Sequence, residues 1–104
     1  MLDRDMTAVV DPGRAAVAVT GEVDASNAED LCLAILAAAM VHGSPLEVDL
    51  AGVTFMDSTG LRAITDAAHA LEASGSALVL SNMPRQVRRI MQISGLGSTL
   101  EVRG

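Results

Sequence analysis

Residues 46–50, Leu-Glu-Val-Asp-Leu, alternate apolar and acidic side chains. That period of two belongs to a strand with one buried face and one face at least partly wet, so helices should lie mainly on one side of its sheet. Helical periods flank this strand. Leu31, Ala34, Ile35, Ala38 and Val41 recur at helical spacing, and Gly43 followed by Pro45 closes that segment. Leu61, Ile64, Ala68 and Leu71 mark a second helix running to Gly75, and Val87, Ile90 and Met91 a third entered through Pro84.

The remaining segments read as strands. Residues 6–10 and 15–20 are valine-rich runs separated by Asp11-Pro12-Gly13-Arg14. Proline pre-sets φ at the first central position of a type II turn and glycine supplies positive φ at the second, which predicts an opening β-hairpin. Residues 77–80 and 100–102 supply two more short strands. Ser26-Asn27-Ala28-Glu29 has the spacing of a capping box and predicts that Ser26 caps the first helix. The element order is β-β-α-β-α-β-α-β: an α/β fold with a mixed, mostly parallel sheet and right-handed crossovers, in a single domain over residues 1–104.

Composition removes several functions. Seven arginines and no lysine face 13 acids, a net charge of −6, and Phe55 is the only aromatic residue. Nothing here neutralises a phosphate backbone or stacks bases, so direct nucleic-acid binding is not expected. The longest apolar run, Leu31 to Val41, is too short to span a bilayer, which needs ~20 residues, and the N-terminus has no signal-peptide pattern. A cytoplasmic protein without membrane insertion is expected. With one cysteine, Cys32, and two separated histidines, His42 and His69, no disulfide, metal site or cofactor is indicated. Cys32 reads as a small core residue, with redox sensing the lesser alternative. Met83 and Met91 read as packing, and Glu47 and Asp49 as a solvated sheet face. Ten of the 13 acids lie at or before Asp57, whereas Arg85, Arg88 and Arg89 cluster late and read as the wet face of the third helix.

The chemistry concentrates in Leu50–Leu61, Leu-Ala-Gly-Val-Thr-Phe-Met-Asp-Ser-Thr-Gly-Leu, where a strand passes through a polar step into a helix. Asp57 is placed as N-cap, with Ser58 and Thr59 in a first turn whose amides lack intrahelical partners. A phosphate on Ser58 suits that turn, yet adds about 1.5–2 negative charges beside Asp57. On the local residues alone an ordinary helix start is the better explanation, since Asp, Ser and Thr all favour that position. A second acidic step, Gly21-Glu22-Val23-Asp24, also joins a strand to a helix. If the two strands are parallel, both steps open at the carboxyl end of the sheet, where open α/β folds place their sites. Ser58 as a hydrolase nucleophile is disfavoured: Met56 stands where a nucleophile elbow has its first glycine, and His69 lies about 16 Å along the same helix.

Gly-Glu-Val-Asp-Ala-Ser-Asn-Ala-Glu-Asp-Leu, Val-Asp-Leu-Ala-Gly-Val-Thr-Phe-Met-Asp-Ser-Thr-Gly-Leu and the arginine-rich segment ending in Ser94-Gly95-Leu96 together resemble a STAS domain of the anti-sigma factor antagonist class. The resemblance covers nearly the whole chain. It implies phosphorylation of Ser58 by an anti-sigma factor serine kinase of the histidine-kinase-like ATPase fold, and restoration by a serine phosphatase. It also implies that the unphosphorylated form binds the anti-sigma factor and frees the sigma factor. Asp24, Asp57, Ser58, Thr59 and Gly60 are then the expected partner-binding residues, with Thr59 a weak second acceptor, in a monomer with no catalytic residue. The competing role on the same fold is a regulatory or scaffold subunit of a transporter or stress-signalling complex.

Overall fold

The computed structural model describes residues 5–97 and 100–103. Residues 1–4, part of the N-terminal segment searched for a signal peptide, lie outside it. Strands β1 (Thr7–Val10) and β2 (Ala16–Val23) are followed by helix α1 (Ala28–His42), β3 (Leu46–Met56) and α2 (Ser58–Ala73). Then come β4 (Leu78–Ser81), α3 (Arg85–Ser94) and β5 (Glu101–Arg103), giving the expected order of elements. The strands lie in one sheet in the order β1-β2-β3-β4-β5; β1 is antiparallel to β2 and every other pair is parallel.

The period-two patterning sets the layers. Val17 and Val19 of β2 and Leu46, Val48 and Leu50 of β3 are buried, and join Leu31 and Ile35 of α1, Leu61 and Ile64 of α2 and Val87 of α3 in one core cluster. The opposite face sets Glu47 and Ser81 beside the buried apolar Ala16 and Val79. There Glu47 accepts from Ser81 Oγ at 2.5 Å and pairs with Arg14 at 3.1 Å and Arg103 at 3.9 Å, linking the hairpin loop and β5 to the centre of the sheet. Both arginines are exposed, so each pair adds little stability.

Several sequence expectations are corrected. The 46–50 strand runs on to Met56, because two register shifts against β2, between Ala18 and Thr20 and between Gly21 and Glu22, break the alternation after Leu50. Bulges of this kind re-aim side chains. Here they leave Thr54 and Phe55 outward while Val53 and Met56 stay buried. The 11–14 turn is not type II. Gly13 is absent from the positive-φ glycines, and its amide instead donates to Asp11 Oδ1 at 2.7 Å, an Asx turn that reverses the chain without left-handed backbone. Positive φ is needed at Gly21, φ 88°, where an added Cβ would lie 2.4 Å from the Asp5 carbonyl oxygen. Val41, read as part of the inner stripe of α1, is 78% exposed, because α1 is apolar around much of its circumference and its last turn points that side outward. Cys32 is only partly buried.

Candidate functional site

Parallel pairing brings the two acidic steps together. Val23 and Met56 are register partners at the ends of β2 and β3, and the Asp57 amide donates to the Val23 carbonyl at 3.1 Å, carrying the ladder one residue further. Asp24 and Asp57 therefore leave the sheet side by side at its carboxyl end.

Asp57 is an N-cap as expected. Its extended backbone, φ −97° and ψ −175°, turns Oδ1 back to accept from the amides of Thr59 at 3.0 Å and Gly60 at 3.2 Å. The Thr59 hydroxyl also donates to Asp57 Oδ1. Ser58, the first residue of α2, is exposed and its hydroxyl has no hydrogen-bond partner among the described residues. Gly60 is buried rather than exposed. A Cβ there would lie 2.7 Å from Val23 Cγ1 and 2.8 Å from Met56 Cγ, so its missing side chain lets the first turn of α2 settle onto the strand ends.

The first acidic step is built differently, and the capping box does not form. Ser26 is not the cap of α1: its amide and hydroxyl donate to Asp24 Oδ1 at 2.9 and 2.5 Å. Asn27 occupies the cap position without a side-chain cap bond, because its amide group bridges the Asp24 N–H and the Glu22 carbonyl. The Ser26 hydroxyl, then its amide, hold the Asp24 carboxyl below the usual aspartate value, against a smaller opposing effect of burial.

Helix α3 completes the surroundings. The Gln86 side chain donates to the Met56 carbonyl at 2.8 Å and accepts from the Met56 amide at 2.9 Å, pinning α3 to the last residue of β3. Between them lies an open groove of about 360 Å³, lined by Phe55, Asp57 and Ser58 on one side and Ile90, Ile93 and Ser94 on the other.

A family model described as "Mlab, STAS domain" matches residues 6–102. The chain belongs to the STAS domain family. An anti-sigma-B factor antagonist of Listeria monocytogenes is 34% identical over 85 residues, covering 82% of this chain and 75% of that protein. The crystal structure of an anti-sigma factor antagonist from Mycobacterium paratuberculosis superposes with a TM-score of 0.78 at 27% identity, covering 97% of this chain and 87% of that one. A chain of the Acinetobacter MlaFEDB complex in an ATP-bound conformation reaches 0.76 at 24% identity, covering 93% and 99%, and shares the fold.

Within this STAS domain, the expected residues Asp24, Asp57, Ser58, Thr59 and Gly60 all gather at the ends of β2 and β3, with Gly60 beneath the surface. Sequence reasoning missed Phe55, Ile90 and Ile93. The only aromatic residue of the chain, standing two positions before Asp57, was the available signal. Elsewhere, His69 is exposed further along α2. Burial, then Asp66 and Glu29, push the Cys32 thiol up, which opposes a reactive thiolate. No described helix is long and apolar enough to cross a membrane.

Proposed function

We propose that this STAS domain is an anti-sigma factor antagonist, a non-catalytic partner switch controlled by phosphorylation of Ser58. The observation that carries the reading is the free, exposed Ser58 hydroxyl, standing between an aspartate and a threonine whose polar groups are already bonded to each other. Unphosphorylated, it fits into a partner's cleft without a desolvated charge. An anti-sigma factor serine kinase of the histidine-kinase-like fold is the partner that both binds this surface and modifies it, and a serine phosphatase returns it to the binding state. Similarity to anti-sigma-B factor antagonists supports this role.

The phosphate is tolerated by the fold and rejected by the complex. Ser58 is exposed at the positive end of the α2 dipole, so a phosphate on it stays in water, whereas burying that phosphate beside Asp57 under a partner adds desolvation and repulsion. A combined cost of about 3 kcal/mol lowers affinity roughly a hundredfold. Ser58→Asp is expected to weaken binding to the anti-sigma factor, and equal binding of variant and wild type rejects the mechanism.

The deciding experiment incubates the purified protein with ATP and each anti-sigma kinase of the same genome, then maps added phosphate by mass spectrometry beside Ser58→Ala. Phosphate on Ser58, absent from the variant, establishes the switch. The fold shared with the MlaFEDB chain favours one other reading, a regulatory subunit docking on a transport ATPase through the same surface. Absence of phosphate with every active kinase, together with co-purification on a transporter ATPase, selects it.

A further inference from the structure

We infer that the docking surface does not end at Ser58 but crosses the groove onto α3, and that it takes one bulky apolar side chain of the anti-sigma partner with carboxylates beside it. This rests on the reading of the domain as an antagonist and specifies what the partner presents.

Three observations converge. First, Phe55, the chain's single aromatic residue, is 42% exposed, and Ile93 opposite it is 77% exposed. The bulge before Phe55 is what turns it outward. Aromatic and aliphatic side chains facing each other across a groove are the usual seat of an anchoring residue, because both walls lose water when it enters. Second, Arg85 and Arg89 precede Ile93 by two turns and one turn of α3, on the stripe next to the groove. Both are exposed and make no ion pair with a described residue. In a chain of net charge −6, this local basic edge selects a partner segment bearing carboxylates. Third, the groove is continuous with the switch, since Asp57 and Ser58 form its other rim.

Together these features explain the sign of the switch. A carboxylate-bearing segment drawn in by Arg85 and Arg89 passes the Ser58 rim, where a phosphate repels it. The apolar pocket holds the partner and the rim charge decides whether it is admitted.

The test uses the kinase that phosphorylates Ser58, with its affinity measured in low and high salt for wild type, Phe55→Ser, Ile93→Ser, Arg89→Glu and the control Met40→Ser on the exposed side of α1. Each substituted side chain is exposed, and circular dichroism verifies the fold. Phe55→Ser and Ile93→Ser are expected to weaken binding about 30-fold or more, the scale of an anchoring contact. Arg89→Glu is expected to slow association and flatten its salt dependence, and Met40→Ser to change nothing. Binding of Phe55→Ser and Ile93→Ser within twofold of wild type, with Ser58 still phosphorylated, overturns the groove and leaves the antagonist standing. Failure of every candidate kinase to bind wild type overturns both.

Discussion

The two turns at the carboxyl ends of β2 and β3 use the same device, an aspartate accepting from the groups that follow it, and finish with different surfaces. After β2, Asp24 draws in the amide and hydroxyl of Ser26, and Asn27 ties the turn back to Glu22, so α1 starts only at Ala28. After β3, Asp57 caps α2 directly and takes the Thr59 hydroxyl, which leaves Ser58 alone with a free one. The distance between aspartate and helix thus decides which hydroxyl is available for modification. Both serines are exposed, but the hydroxyl of the first is bonded within its own loop and that of the second has no partner among the described residues.

The largest test of that contrast is all-or-none. Ser58→Ala is expected to abolish phosphorylation by the cognate kinase, while Ser26→Ala leaves its rate unchanged, read as incorporated phosphate per chain. Modification of Ser26 in the wild type would break the comparison, since its hydroxyl is bonded to Asp24.

The next separates how the two helices meet the sheet. Gly60 is the third residue of α2 and is buried against Val23 and Met56, whereas the third residue of α1, Asp30, is exposed. Gly60→Ala gains about 1 kcal/mol of helix propensity but forces overpacking that typically costs about 1–3 kcal/mol. Because its contacts are a methyl of the stiff, β-branched Val23 and an inner carbon of Met56 rather than the far end of a long flexible side chain, a net loss of about 1–2 kcal/mol is expected by urea unfolding. Asp30→Ala should be close to neutral. A stabilised Gly60→Ala protein would mean that α2 need not lie against the strand ends.

A smaller effect belongs to the cap itself. Removing the Asp57 carboxylate leaves the amides of Thr59 and Gly60 without it, at a cost of about 1 kcal/mol, and Asp57→Asn should recover most of that. Asp57→Ala also frees the Thr59 hydroxyl, whereas the side-chain oxygen in Asp57→Asn can still accept from it. If the kinase then modifies Thr59 as well as Ser58, the Asp57 bond is what makes the wild-type site selective.

Much of this was legible in the chain because the relevant signals are local. The apolar–acidic alternation of 46–50, the helical stripes and the Asp57 cap depend on neighbouring residues, and with the exception of Val41 at the end of the first stripe they reappear in the structure. What escaped depends on partners distant in sequence. The bulges of β3 arise from its pairing with β2, so nothing between Ala51 and Met56 announces that the strand continues or that Phe55 turns outward. Ser26 failed as a cap because Asp24, two residues earlier, competes for it, and a capping box read from spacing alone ignores that competitor. The groove needed Gln86 to pin α3 beside Met56, a contact across 30 residues.

The mildest perturbation reaches the first turn through protons. The Ser26 hydroxyl, followed by its amide, holds the Asp24 carboxyl below the usual aspartate value. A carboxylate depressed in the folded state favours folding above its unfolded pKa and loses that contribution as pH falls through the folded value, so this bond weakens only in acid. Exposure of the group keeps the effect on global stability small. A carboxyl-detected NMR titration should place Asp24 below an ordinary aspartate, and Ser26→Ala should move it upward by removing the largest cause. An unmoved titration in Ser26→Ala would mean that the Ser26 hydroxyl is as free as that of Ser58. Selectivity between the two serines would then have to come from the kinase rather than from the turns.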